Sequence, residues 1–497
     1  MMPFEFIDNN SAIDRAARRR IRTHAATAKN ANRILTRPSK VTALKANIAT
    51  PFRTPAAIRK LREDSAADGE MFEIERPVSD GLQFPVPVPA RSRRTVMEAL
   101  FFFCNVRFAP ELDDALESPD VVSSIWVRYF FVDEAFFHCS IATSILCSGS
   151  FTSETAQAMH HIARTYRIIQ ERLMSSTEAT SDMTIAILVA MSQYERLQRQ
   201  YARGYFHVQG LCRMVQLRGG AKQFKTPWSG VIQKVLRADL EYALQLGGRP
   251  LLGAEGIEFL RSSKCLCIDD ERRLDASTIP EVDTFLQMRL RADLWTIFTN
   301  VRHFAVLLND AGIGYSKKLG AGEFHNTILL FGHCLLRFGP LGSSSGHGWC
   351  LLSAMSALED VIHLGLIAFL VTFLPGLNHH IADQPLLSQR LLFAVQKLSQ
   401  IVGAGEASRI EKKILLWAVF IGAVAVFKPA DNAWLKPLMN ATIQVIGLSS
   451  WKSVKPVLVG FPWVDALHDR TGIMLCTSSK SNQVGFPTST EVATNQS

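Results

Sequence analysis

SETAQAMHHIARTYRIIQERL, residues 153–173, sets Ala156, Met159, Ala163, Tyr166, Ile169 and Leu173 at steps of three and four. At ~100° per residue that spacing gathers all six on one face of an α-helix, which the two-residue alternation of a strand cannot do. Downstream, Ser181 is placed to cap a second helix carrying Ile185, Leu188, Met191 and Tyr194. A third helix is predicted over about 203–217, with Val208, Leu211, Cys212 and Val215 on one side. It should close at Arg218-Gly219-Gly220, because glycine accepts the left-handed conformation and an arginine complements the last carbonyls. The same period returns over about 286–308, 323–338, 351–374, 385–402 and 410–428, while alternating patterns are scarce. The predicted fold class is all-α: a large multi-helix bundle.

Composition agrees with a folded body. Hydrophobic residues make up 47% and charged residues 20% of 497 positions, enough apolar matter for a core and far from a disordered composition. Nine cysteines without a Cys-x-x-Cys or an even ladder read as reduced, buried thiols. The apolar runs Leu364 to Leu374 and Ile414 to Phe427 fall short of the ~18 residues a bilayer span needs, so they read as core helices and no membrane partner is expected. The opening MMPFEFIDNN has no basic region followed by an apolar stretch, so no secretory signal is read there.

Charge divides the chain. Residues 1–62 hold 14 Lys/Arg against 3 Asp/Glu, whereas the other 435 residues hold 40 against 42. The expected organisation is a basic, partly disordered arm over 1–62, a Pro-rich linker over 63–94, a helical body over 95–476 and a disordered polar tail over 477–497. Within the arm a helix is predicted over 11–35, opened by Ser11 with Asp14 in its first turn. Arg15, Arg18, Arg19, Arg22, Lys29 and Arg33 then share one arc, Ala17, Ile21, His24 and Ala28 lie opposite, and Arg20 stands off the stripe. Such a face suits phosphates and gives salt-dependent affinity with little sequence choice. Arg18-Arg19-Arg20 with Arg22 equally suits a nuclear import signal. A mitochondrial presequence is a third reading, opposed by the early acids Glu5, Asp8 and Asp14.

Catalytic and metal patterns are weak. Gly342-Ser-Ser-Ser-Gly346 matches the nucleophile-elbow pattern in letters, but it follows a helix rather than a strand, so Ser344 reads as loop. Gly312-Ile-Gly314 and Gly403-Ala-Gly405 are not completed into a phosphate-binding motif. Adjacent histidines on a helix point ~100° apart, so His160-His161 and His379-His380 are poor chelators; Cys265-x-Cys267 lacks a second pair. No catalytic residue, metal or cofactor is expected, and an enzyme would require Ser344, His347 or Asp269-Asp270 to share a pocket.

The stretch Tyr205-Phe-His-Val-Gln-Gly-Leu211, then Met214-Val-Gln-Leu-Arg-Gly-Gly220, Asp239-Leu240 and Arg249-Pro250, resembles the fungal-specific transcription factor domain. Leu415-Leu-Trp-Ala-Val-Phe-Ile-Gly422 and Phe461-Pro-Trp463 resemble later parts of it, and Phe4-Glu-Phe-Ile-Asp8 with Ile21-Arg-Thr-His24 resembles the start of a subset without a zinc cluster. The resemblance implies an α-helical regulatory domain in which His207, Gly210, Leu211, Arg218, Gly219, Gly220 and Trp417 have structural roles. It implies a nuclear transcription regulator of a metabolic or secondary-metabolite gene set, acting on DNA directly or through a partner factor. The family's six-cysteine zinc cluster has no counterpart, since the first cysteine is Cys104. A co-regulator or interaction scaffold that never touches DNA is the rival reading.

Overall fold

The computed structural model describes residues 83–89, 92–105, 110–118, 124–148, 153–224, 230–266, 280–342, 355–375, 383–405, 407–427 and 434–478. Contacts divide the chain into two units, Met1–Arg76 and Pro77–Ser497, and every described residue belongs to the second. The basic arm with its helix over 11–35 lies outside the described residues, as do Ser344, His347, Asp269-Asp270, His379-His380, Cys267 and the tail beyond 478.

Among the described residues the fold is all-α, with eighteen α-helices and no strands. In chain order they are α1 (Arg93–Asn105), α2 (Ile125–Val132), α3 (Glu134–Ser148), α4 (Ser153–Leu173), α5 (Ser176–Ala179), α6 (Asp182–Leu197), α7 (Tyr201–Leu217), α8 (Val231–Leu246) and α9 (Gly253–Ser262). There follow α10 (Pro280–Arg289), α11 (Ala292–Gly312), α12 (Ala321–Phe338), α13 (Ala357–Val371), α14 (Pro385–Gly403), α15 (Arg409–Ala425), α16 (Leu435–Ile446), α17 (Trp451–Leu458) and α18 (Asp465–Ser478). Helix α6 packs on α3, α7 and α8; α8 and α12 join the halves; α13 lies among α12, α14 and α15, and α15 carries α16 to α18.

Local chemistry explains the boundaries. Ser181 Oγ accepts the Thr184 N–H at 3.2 Å and opens α6. Capping boxes Ser356/Glu359 and Ser408/Glu411 open α13 and α15. Helix α7 closes as the spacing predicts: Gly219 N–H donates to Gln216 O and Gly220 N–H to Val215 O, each at 2.9 Å, with φ of 90° and 97° at the two glycines. The periodic stretch over 286–308 is two helices rather than one. It breaks at Leu290-Arg291, where the Glu359 carboxylate accepts the Arg291 N–H at 2.9 Å. Residues 280–283 are the first turn of α10, and Arg302 of α11 grips Asp283 there with two bonds of 2.5 and 3.0 Å.

Helix α4 forms where its spacing puts it, but a different face is buried. Ala156, Met159, Ala163 and Leu173 are exposed, and Ala158, Ile162, Thr165 and Ile169 face the core. The core face includes a threonine whose hydroxyl is bonded to Ala135 O at 3.2 Å, so its apolar count understates it.

The two apolar runs are core helices. Every residue from Leu364 to Leu374 is buried, and so are 414–423 of α15. Helices apolar all round must be enclosed by others. No described helix is long and apolar enough to cross a membrane by itself; α2 with α3 reaches the required length only as a pair bent by 110°. Of the segment read as linker, Phe84 stacks on Phe131 at 5.5 Å and meets the Phe137 ring at 5.8 Å, so residues 83–89 are part of the body's packing.

Candidate functional site

The functional chemistry among the described residues collects where α4, α6, α7, α8 and α12 meet. Two glutamates on this seam are almost fully buried, Glu195 at 2% exposure and Glu241 at 1%. Glu195 Oε1 accepts the Tyr166 hydroxyl at 2.8 Å, the Tyr166 oxygen lies 3.3 Å from His207 Nε2, and Arg203 Nε stands 3.9 Å from Glu195 Oε2, which has no hydrogen-bond partner. Burial pushes the Tyr166 hydroxyl pKa up, reinforced by Glu195, and holds His207 below the usual imidazole range. The cluster ties three helices together.

Glu241 is held more fully. Arg237 Nε donates to its Oε1 at 2.9 Å, and Arg196 and the Gln193 amide donate to its Oε2 at 2.8 and 2.9 Å. Burial alone would raise this carboxyl, but the two guanidinium groups outweigh it and the net shift is down. One buried carboxylate thus takes hydrogen bonds from two arginines and an amide and ties α6 to α8.

Of the residues singled out by the resemblance, two lie deep in the core. Leu211 and Trp417 are buried at 0% exposure. Trp417 Nε1 donates to Pro462 O at 3.0 Å and its ring stacks on Phe461 at 5.6 Å, so two segments some 45 positions apart in sequence form one contact. Asp239 accepts the N–H groups of Leu251 and Leu252 at 2.7 and 2.8 Å, which fixes the turn after Arg249-Pro250 and leads into α9. Arg218 does not cover the carbonyls of its own helix. Its guanidinium reaches Asp182 and Thr180 O at the start of α6 and lies 4.0 Å over the Phe224 ring, because the Asp182 carboxylate supplies a full charge there. Gly220 passes under Glu255, whose Oε1 accepts the Ala221 N–H at 2.5 Å.

Gly210 does not act as a packing glycine: a Cβ there would meet nothing within 4 Å. Gly204, which no spacing marks, is the close approach, since its Cβ would fall 1.6 Å from the Tyr242 hydroxyl. His160 is exposed, and His161 pairs instead with His138 of α3, Nδ1 to Nδ1 at 2.7 Å. No group of three or more His, Cys, Asp or Glu placed to hold a metal occurs among the described residues. Burial drives the Cys139, Cys147 and Cys265 thiols up to about 12, which makes them unreactive.

The fold and this seam define a helical protein with an interior ionic network. No family model, curated protein or solved structure matches the chain.

Proposed function

We propose that the chain is a nuclear transcription regulator of the fungal type, built without a zinc cluster of its own, whose basic arm serves nuclear entry and phosphate contact. The observation that carries this reading is the segregation of charge: 14 Lys/Arg against 3 Asp/Glu in residues 1–62, beside a body that is nearly neutral. A one-signed segment attached to a neutral body concentrates at a polyanion and leaves the body available for other contacts. Family likeness in the motifs around Gly210 and Trp417 supports the same reading, and DNA is engaged directly by the arm or through a partner factor. Arg15, Arg18, Arg19 and Arg22 changed together to Ala should abolish affinity for nonspecific duplex and flatten its fall with salt. Unchanged affinity in that variant rejects direct contact.

Exposed apolar side chains favour the second reading, a co-regulator that assembles through the bundle. Phe206 and Leu217 are 69% and 61% exposed on α7, and Met159 is 54% exposed on α4. Chromatin occupancy that survives deletion of residues 1–62 but is lost on Phe206→Ser selects the co-regulator.

A further inference from the structure

Neighbours on one helix, His160 and His161 diverge too far to chelate together, but the fold gives His161 another partner. His138 of α3 and His161 of α4 meet Nδ1 to Nδ1 at 2.7 Å, with ring centroids 5.0 Å apart. At that distance one nitrogen donates and the other accepts, so two ring nitrogens converge on a single proton. On its far side the His138 ring brings Nε2 to 3.8 Å from Glu134 Oε1, and Arg164 Nε donates to that same carboxylate oxygen at 2.8 Å. Carboxylate, imidazole and inward ring nitrogen thus stand in the order found around metal-bound histidines, where the carboxylate orients the ring and raises its basicity. The frame is stiff, because the Thr165 hydroxyl donates to Ala135 O at 3.2 Å and Arg172 to Asp133 at 2.6 Å, fastening α4 to α3. The His138 side chain is 13% exposed and His161 is half-buried, so solvent reaches the pair.

We propose that His138 and His161 form a two-ligand site for a divalent transition-metal ion of the zinc type, with Glu134 holding the His138 ring and water filling the remaining positions. Zinc bonds imidazole nitrogen at ~2.0–2.1 Å, so a tetrahedral ion sets two nitrogens ~3.3 Å apart, and the rings part by ~0.6 Å from 2.7 Å to admit it. The donor ring shifts its proton from Nδ1 to its outer Nε2, and both imidazoles bind as neutral ligands. Burial lowers His138 below its usual range and brings His161 down to about 4, helped by His138 and His160, so at neutral pH no added proton competes with the ion. His160 stays outside the site, exposed and with its ring at 77° to that of His161. Magnesium, which takes oxygen ligands, is refused. A bound ion clips α3 to α4, and the site does not rest on the arm or on the regulatory reading.

Thermal unfolding and calorimetric titration of the full chain at neutral pH test it, with zinc chloride or magnesium chloride added to chelator-treated, reduced protein. Zinc should raise the unfolding midpoint and magnesium should leave it in place. His161→Asn should weaken zinc binding at least ~tenfold by removing a ligand, and Glu134→Gln should weaken it ~tenfold by releasing the His138 ring. His160→Ala should leave the affinity unchanged. A midpoint rise shared equally by magnesium, a zinc affinity unchanged in His161→Asn, or a loss as large in His160→Ala overturns the site. Should His161→Asn fail to fold, Glu134→Gln and His160→Ala decide it: the site stands if the first weakens zinc and the second does not, and falls otherwise.

Discussion

Two halves of the body are held by opposite means. From α4 to α8, buried side chains carry formal charge: Glu195, Glu241, Arg196 and Asp239 are all 9% exposed or less. From α12 to α18, the buried polar groups are largely neutral. His333 Nε2 donates to Leu236 O at 3.1 Å, His363 Nε2 to Leu335 O at 3.0 Å, and His468 accepts the Val464 N–H at 3.0 Å. A charged seam fixes which helices meet, since each ion needs its own counter-ion, whereas an apolar jacket with neutral imidazoles is fixed by volume and by single hydrogen bonds. The halves should therefore fail under different challenges.

Acid should strike the imidazole half first and hardest. Burial brings His333 and His363 down to about 4 and His468 to about 3 from 6.5, and His161 of the N-terminal half also to about 4. The folded chain keeps these rings neutral while the unfolded chain protonates them near 6.5. Stability is thus complete above 6.5, is lost as pH falls through it, and the loss levels off near 4. One unit below 6.5, each ring costs ~1.4 kcal/mol, so the four together cost roughly 6 kcal/mol. Asp239, raised to about 6 by burial, works the other way but is a single group. Urea midpoints followed from pH 7.5 to 5.0 should fall steeply, and His363→Gln should blunt the fall; a flat profile removes the distinction between the halves.

Glu241→Gln is the corresponding test of the charged half. It leaves Arg196 and Arg237 facing each other in the interior without their anion, and should cost about 3–5 kcal/mol. The loss should shrink in the triple change with Arg196→Met and Arg237→Met. If the single variant unfolds at the same urea concentration as the parent, the ion pairs do not hold that half.

Glycines sharpen the same contrast. Gly204→Ala pushes a methyl into Tyr242, which is pinned by its hydroxyl to Ser192 O at 2.7 Å, and should cost ~3 kcal/mol. Gly210→Ala meets open space inside a helix and should stabilise by up to ~1 kcal/mol. Reversed signs would mean that α7 docks on α8 in another register.

These outcomes follow what the residues could and could not announce. Helix existence was legible, because period, Ser181 as cap and Gly219-Gly220 as terminator are local signals. The apolar runs around Leu364 and Ile414 were legible as core by length alone. The buried face of α4 was not, since it runs through Thr165 and Ala158 while Met159 stays in solvent. Nor was the pairing of Gln193 with Glu241 across 48 positions, because a glutamate on a helix looks the same whether it meets water or an arginine. The packing glycine was hidden for the same reason: Gly204 and Gly210 sit on one helix and only the partner, Tyr242, tells them apart.

The smallest effect concerns the turn between α6 and α7, which belongs to the charged half yet violates its own local rule. Arg199 has φ of 59° where a glycine is expected, and Gln200 N–H still closes the motif on Glu195 O at 2.9 Å. The left-handed conformation costs a branched-free side chain ~1 kcal/mol. Among the described residues its ionic contact is Asp383 at 3.6 Å, between exposed groups, and returns almost nothing. Arg199→Gly should relieve the strain and lose part of that gain to the greater freedom of the unfolded chain, for a net stabilisation of ~0.5 kcal/mol. A urea midpoint that drops instead would show that the Arg199–Asp383 contact anchors the segment before α14, and that the charged network extends from the α6–α8 seam to that end of the bundle.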